Sequence, residues 1–328
     1  MTRETLERRQ VWVYVAALAA GIAVGARVPQ AAPLFEALLW PCLAVLLFAT
    51  FTQVPLVALP AALRDARFMA AVLIGNFIVL PLLVAGLLVL VPDDPAVRLG
   101  VLLVLLVPCT DWFITFTHQA GGDARRAIAV TPVVLIAQIV LLPLYLWAFM
   151  GDGLGDVVSA SRMSTVFLLV IAVPLVAAYL TERWVARDVE RRALIGRLGW
   201  WPVPLLALVL FFIGASQVEA VKRALPLAGD VSAVFLLFFA GAVLFGLGAG
   251  RLLRLPVTQV RTLVFSFATR NSFVVLPLAL ALPAEWGAAA VVIVLQSVVE
   301  LFGVLVLLWL VPRVLLPDAA VRAGGDAP

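Results

Sequence analysis

Pro108-Cys109-Thr110-Asp111-Trp112-Phe113 stands in the middle of one long apolar segment, and Ala268-Thr269-Arg270-Asn271-Ser272-Phe273 stands in the middle of another. Each stretch places a charge, Asp111 or Arg270, where a lipid-spanning helix carries none. A charge at that depth costs several kcal/mol, ~3 on insertion scales and more in simulations, so it normally faces protein or water and has a partner. Two opposite charges at matching places in the two chain halves point to one polar site inside a membrane bundle.

The surrounding composition agrees. The 328 residues are 64% hydrophobic and 13% charged, with a mean hydropathy of +1.15. A soluble domain is nearer half apolar and a quarter charged, so this chain belongs in a bilayer. The net charge is +4. The basic residues sit in short loops, so the lipid surface, and not nucleic acid, is the expected partner. Cys42 and Cys109 both fall inside apolar segments and make neither a metal-ligand spacing nor a disulfide framework. No cofactor or metal is expected. The first apolar stretch runs into a second without a small-residue cleavage site, so no removable signal is expected.

Taken in order, the chain reads as about ten spans near the ~20 residues that a bilayer core requires. They cover 11–27, 35–58, 68–91, 97–119, 126–150, 163–183, 199–217, 229–250, 258–282 and 287–311. The longest connection runs from Glu182 to Arg197 and holds five arginines. Both tails are short, so a single transmembrane unit over 1–328 is expected. Of the 23 Lys and Arg, 17 fall in the two tails and alternate loops, 5 in the loops of the other side, and Arg270 within the membrane. The positive-inside rule then places both termini in the cytoplasm, in the cell's inner membrane.

An internal repeat is also expected. Phe48-Ala-Thr-Phe-Thr-Gln-Val54 and Phe212-Ile-Gly-Ala-Ser-Gln-Val218 are separated by half the chain length, and a Trp-Pro pair, Trp40-Pro41 or Trp201-Pro202, precedes each. The polar interruptions occupy spans 4 and 9, which are corresponding positions. Five spans per half is an odd number, so the halves, 11–150 and 163–311, have opposite topology. Inverted repeats with broken helices at the midplane are a signature of secondary transporters.

The individual residues carry competing readings. Pro108 removes a backbone hydrogen bond and opens the helix, freeing carbonyls that need partners; proline also kinks many membrane helices with no further role. Cys109 and Thr110 follow at once, and a membrane cysteine is often only a small hydrophobe. Asp111 is either an ion-pair partner of Arg270 or a proton or cation site. Arg270 cannot give up its proton, so it is a fixed counter-ion or an anion ligand. Thr269, Asn271 and Ser272 flank it with neutral hydrogen-bonding groups, and Pro277 and Pro283 are expected to break the helix further on. Glu300 lies 13 residues into span 10, near the midplane at ~1.5 Å per residue. Gln296 sits one turn before it on the same face. Glu300 has no evident basic partner in the sequence, which makes it the expected proton carrier, with Asp111 organising the site. Asn76 and Gln138 read as isolated interhelical hydrogen-bonders. His118 reads as an interfacial residue, and Gly121-Gly122-Asp123 as a turn.

The ten-span plan, Pro108-Cys109-Thr110, Gly122-Asp123, the Asn-bearing break at 268–273 and a Glu in span 10 resemble the arsenical-resistance permeases. These belong with the bile acid:sodium symporters in the bile acid/arsenite/riboflavin transporter superfamily. The resemblance implies a panel domain and a core domain, with unwound helices 4 and 9 crossing at the substrate site. It also implies a functional cysteine at Cys109 and export of arsenite or antimonite against protons. The chain departs from the permease run Ser-Asn-Asn-Phe-Glu, for which it has Thr269-Arg270-Asn271-Ser272-Phe273, and it carries Asp111 where a neutral residue is usual. Most of the polar cluster on which the sodium symporters rely is absent, so their sodium sites do not carry over and protons are the expected coupling ion. Arg270 would occupy the place of a bound cation.

Three functions remain open at this stage. One is a proton-coupled arsenite or antimonite exporter using Cys109, Thr110, Asn271, Ser272 and Arg270 for the solute and Asp111 and Glu300 for the ion. Another is a transporter of an organic or inorganic anion held by Arg270 and Asn271. The third is a scaffold or sensor. An enzyme is not expected, because no nucleophile/base set or metal motif occurs.

Overall fold

The structure, a computed structural model, describes residues 3–54, 65–110, 112–151, 165, 167–188 and 191–317. These are helical, with no strand among them beyond one isolated bridge. In order they form α1 (Arg3–Arg27), α2 (Ala32–Phe51), α3 (Ala66–Leu90), α4 (Pro95–Leu105), α5 (Trp112–Gln119) and α6 (Ala124–Met150). Then come α7 (Leu168–Ala186), α8 (Arg192–Leu198), α9 (Pro202–Ser216), α10 (Val218–Ala224), α11 (Ala228–Leu252), α12 (Val257–Ala268), α13 (Ser272–Leu280) and α14 (Ala288–Leu310).

Seven helical runs among the described residues are long and apolar enough to cross a membrane, and Trp12–Arg27 and Pro95–Leu105 are shorter apolar helices. Large apolar side chains point outward along them: Leu82, Val89, Trp147 and Leu244 are each more than two-thirds exposed. In water such a surface would be unstable; in lipid it is the solvated one, and the backbone satisfies its hydrogen bonds within each helix.

Two packed groups result. α1, α2, α7 and α9 lie against one another, and α3 to α6 with α11 to α14 form the second group. The α1–α9 contact is close because glycine allows it: a Cβ on Gly21 would stand 2.1 Å from the carbonyl oxygen of Phe211. Without a hydrophobic drive between helices in lipid, such backbone approach is a main source of association.

Prolines alone do not break these helices. Pro41, Pro132, Pro143 and Pro277 all lie inside continuous helix. The expected break at Pro277 is therefore absent, and α13 runs through it to Leu280. The arginine-rich stretch 182–197 is also less of a loop than expected: α7 continues to Ala186 and α8 begins at Arg192. Arg and Glu are good helix formers, so the charges there mark exposure and not the end of the helix. Arg191 lies over the Trp184 ring at 4.4 Å. Gly121 adopts φ +67, and Asp123 caps α6 by accepting from the Arg126 amide, which makes 121–123 the tight turn expected there.

Candidate functional site

The two interrupted helices meet at their interruptions. On one side α4 ends at Leu105. Pro108 has no N–H to continue it, and the residue before a proline is pushed toward extended backbone. On the other side α12 ends at Ala268, Thr269 is extended (φ −103, ψ 139), and Asn271 restarts the chain by accepting the Val274 amide on its side-chain oxygen at 3.3 Å. The unwound strands then pair with each other. The Cys109 amide donates to the Thr269 carbonyl at 3.1 Å, and the Asn271 amide donates to the Val107 carbonyl at 2.8 Å. This antiparallel bridge between Pro108 and Arg270 satisfies backbone that lipid could not.

Carbonyls at the two helix ends also take part: Leu105 on α4, and Ser266 and Phe267 on α12. A helix leaves its last carbonyls without internal partners. The Arg270 guanidinium takes all three. Nη1 donates to Leu105 O at 3.3 Å; Nη2 donates to Ser266 O at 3.1 Å and to Phe267 O at 2.7 Å. Nη2 also donates to Asn76 Oδ1 at 2.9 Å, and the Phe238 ring covers the group at 5.2 Å. The guanidinium thus rests on the negative dipole ends of two half-helices, where a cation is stabilised. Arg270 is only 3% exposed, and its Nε finds no partner among the described residues.

Asn76 is the residue the sequence reading undervalued. It makes the interhelical hydrogen bond expected of it, to Ser266, and it is not isolated but also part of the Arg270 shell. It lies in a π-turn, Gly75–Val79, inside α3, and its amide donates to Val72 O and to Ser266 Oγ, both at 3.1 Å. π-turns often occur where a helix re-aims a functional side chain. Gln138, read the same way from sequence, is buried in α6 with neither side-chain atom partnered among the described residues.

Glu300, on α14, closes the second side of the break. Its Oε2 accepts from the Arg270 backbone amide at 2.8 Å and from Gln296 Nε2 at 2.7 Å, and Ser272 Oγ donates to Gln296 Oε1 at 2.9 Å. Arg270 is thus brought to Glu300 through its backbone amide. Nothing in the spacing of residues 270 and 300 signals this; it follows from α14 packing on α13 and α4.

The remaining expected site residues gather at the same place. Thr110 Oγ1 accepts from Asn271 Nδ2 at 3.0 Å. Cys109, Thr110, Thr269, Asn271 and Ser272 are all buried, so the break is sealed in this conformation. Asp111 lies outside the described residues.

An open cavity of about 70 Å³ approaches the break from the junction of the two helix groups. Gln10 and Tyr14 of α1, Thr50 of α2, and Trp112, Thr115 and Phe116 of α5 line it, with Gln53 and Pro202. Its lining carries hydroxyls, amides and aromatic rings and, among the described residues, no Asp, Glu, Lys or Arg. Thr50 Oγ1 is buried there without a partner among the described residues. Trp112 separates the cavity from the break, with its ring 6.1 Å from Tyr14 and 4.9 Å from Phe273. The sequence reading missed Gln10, Tyr14, Thr50 and Trp112 as lining residues; the one available hint was the repeated Phe-rich segment that contains Thr50 and Gln53.

Residues 40–224, more than half of the chain, match the family model described as the sodium bile acid symporter family. The match includes the break at Pro108 and stops before the one at Arg270. No curated protein matches the chain.

Proposed function

This chain belongs to the sodium bile acid symporter family, a family of membrane transporters, and from that premise we propose that it exports arsenite or antimonite in exchange for protons. In this reading the seven long helices, Trp12–Arg27 and the two interrupted segments make ten crossings. They form two inverted halves, 11–150 and 163–311, with both termini in the cytoplasm of the inner membrane. The meeting of the two breaks at one point is what such a repeat produces.

The observation that carries the reading is the bond from the Arg270 amide to Glu300. An ionised Glu300 accepts two charge-assisted hydrogen bonds, and one of them holds the unwound backbone. Protonation makes it a weaker acceptor. The Arg270 segment then loosens and rearranges, so that the proton at Glu300 and the solute at Cys109, Thr110, Asn271 and Ser272 bind in turn, as exchange requires. The Arg270 guanidinium is engaged with carbonyls and Asn76, which favours an uncharged hydroxylated solute over an anion. Cys109 supplies a soft sulfur suited to arsenic or antimony, and Asp111 organises the site.

The test is uptake into everted vesicles under an imposed pH gradient. Wild type should concentrate arsenite; Glu300→Gln should abolish gradient-driven uptake yet bind the solute, and Cys109→Ser should lose binding. Gradient-driven accumulation by Glu300→Gln overturns the assignment. One observation favours a second reading, symport of an organic anion: the aromatic rings and amides that line the cavity suit an organic body. Vesicles that ignore arsenite and accumulate an organic anion would establish it, and there Cys109→Ser should be largely silent.

A further inference from the structure

We propose that Tyr145 of α6 is a positioning residue for the Arg270 site: its hydroxyl holds open the π-turn in α3, and that turn aims Asn76 at the guanidinium. The consequence for transport rests on the exchange reading; the coupling of Tyr145 to Asn76 does not.

In a regular helix the Phe77 carbonyl would pair with the amide of residue 81. That residue is Pro81, which has no amide hydrogen and whose ring crowds the carbonyl. Proline alone does not make a π-turn, since Pro132 and Pro143 lie in α6 within continuous α-helix. What α3 adds is a donor from outside: the Tyr145 hydroxyl donates to the Phe77 carbonyl. Around it the helix widens, and the Leu80 amide donates to the Gly75 carbonyl in place of the Asn76 carbonyl. On the other flank, Gly75 admits the Phe267 ring; a Cβ there would stand 2.0 Å from a ring carbon. The Phe267 carbonyl itself accepts from Arg270 Nη2. Asn76 is thus held from both sides, by the Phe267 ring and by Tyr145 through Phe77. Healing the π-turn to α-helix would take one residue out of the turn and rotate the two parts of α3 by about 100°. Asn76 Oδ1, now 2.9 Å from Nη2, could not keep that bond. Tyr145 makes no hydrogen bond to Asn76 or Arg270 themselves among the described residues, so it acts through the α3 backbone.

Thermal unfolding of the purified full chain, with arsenite uptake into everted vesicles under a pH gradient, tests this. Asn76→Leu should lower the wild-type midpoint by several degrees. In a Tyr145→Phe or Pro81→Ala background it should lower it by about half as much or less, because there the amide no longer meets Arg270. Equal falls in all three backgrounds overturn the proposal. Pro81→Ala gives the Phe77 carbonyl a helical amide that competes with Tyr145. It should therefore unfold at or above the wild-type temperature and yet slow uptake about tenfold, as misplacing a positioning group does. A tyrosine with a merely structural role predicts a stable Pro81→Ala with the wild-type rate, and that result also overturns the proposal. If Tyr145→Phe does not fold, Pro81→Ala decides alone. Wild-type vesicles that ignore arsenite refute the export reading, and the unfolding comparison then decides the role of Tyr145.

Discussion

Asn76 and Gln138 are both buried amides within transmembrane helices, and replacing each by leucine should move stability in opposite directions. Asn76 makes three hydrogen bonds, one of them to a guanidinium. A bond to a charged group contributes ~1.5–3 kcal/mol and a neutral one ~0.5–1.5, with membrane values near the low end. Asn76→Leu also removes an acceptor from a buried charge. The expected loss is about 3 kcal/mol. Gln138 makes no such bond with the described residues, and both of its side-chain polar atoms are buried. An unsatisfied buried polar group costs ~1–3 kcal/mol, so Gln138→Leu, close in volume, should be neutral or stabilise by about 1–2 kcal/mol. Thermal unfolding of the two purified variants beside wild type reads the difference directly. An Asn76→Leu midpoint equal to wild type, or a Gln138→Leu midpoint that falls as far as that of Asn76→Leu, would refute the account of the Arg270 shell.

Three further expectations concern the charges. Asp111→Asn and Arg270→Gln should each cost about 3–5 kcal/mol if the two groups pair, with the double variant recovering much of the loss; additive losses in expression and unfolding would show that they do not meet. At the start of α3, Arg126 bonds to Asp65 at 2.7 Å, and that hydrogen bond holds the Asp65 carboxyl below its ordinary 3.8. A depressed carboxylate stabilises the fold above its unfolded pKa, and the contribution disappears as pH falls through the folded value. Both side chains are more than a third exposed, so Asp65→Asn should cost no more than ~1 kcal/mol at neutral pH, and its difference from wild type should vanish in strong acid. For orientation, Ala186→Cys in a cysteine-depleted protein should resist an impermeant maleimide in intact cells; labelling there would invert the topology.

Both breaks were legible because each violates a strong rule. Pro108 cannot donate, and a charge at the midplane needs a partner. Their meeting place was legible only through matching positions in the two halves. Asn76 was not legible, because its role depends on a π-turn with no sequence signature and on residues almost 200 positions away. The pairing of Glu300 with the Arg270 backbone was hidden for a related reason: a backbone donor carries no mark in a sequence. Of the cavity residues, Gln10 and Tyr14 lie in the first half of α1 and Thr50 at the end of α2, and only the packing of α1 and α2 beside α5 gives them a common surface.

The two breaks complete one another, and this explains why neither stands alone. A single unwound turn in lipid would leave several backbone groups bare, each costing several kcal/mol. Here the amides of Cys109 and Asn271 take the carbonyls of Thr269 and Val107, one from each break. The carbonyls of Leu105, Ser266 and Phe267 go to one side chain, Arg270, and the amide of Arg270 itself goes to another, Glu300. Every bond in this set crosses between elements or reaches from a side chain to backbone at a helix end or in the break. A proton on Glu300 or a solute hydrogen-bonding at Asn271 competes for the same few groups. The place where the backbone is least self-sufficient is therefore also where a small ligand has the most leverage over the arrangement of the helices.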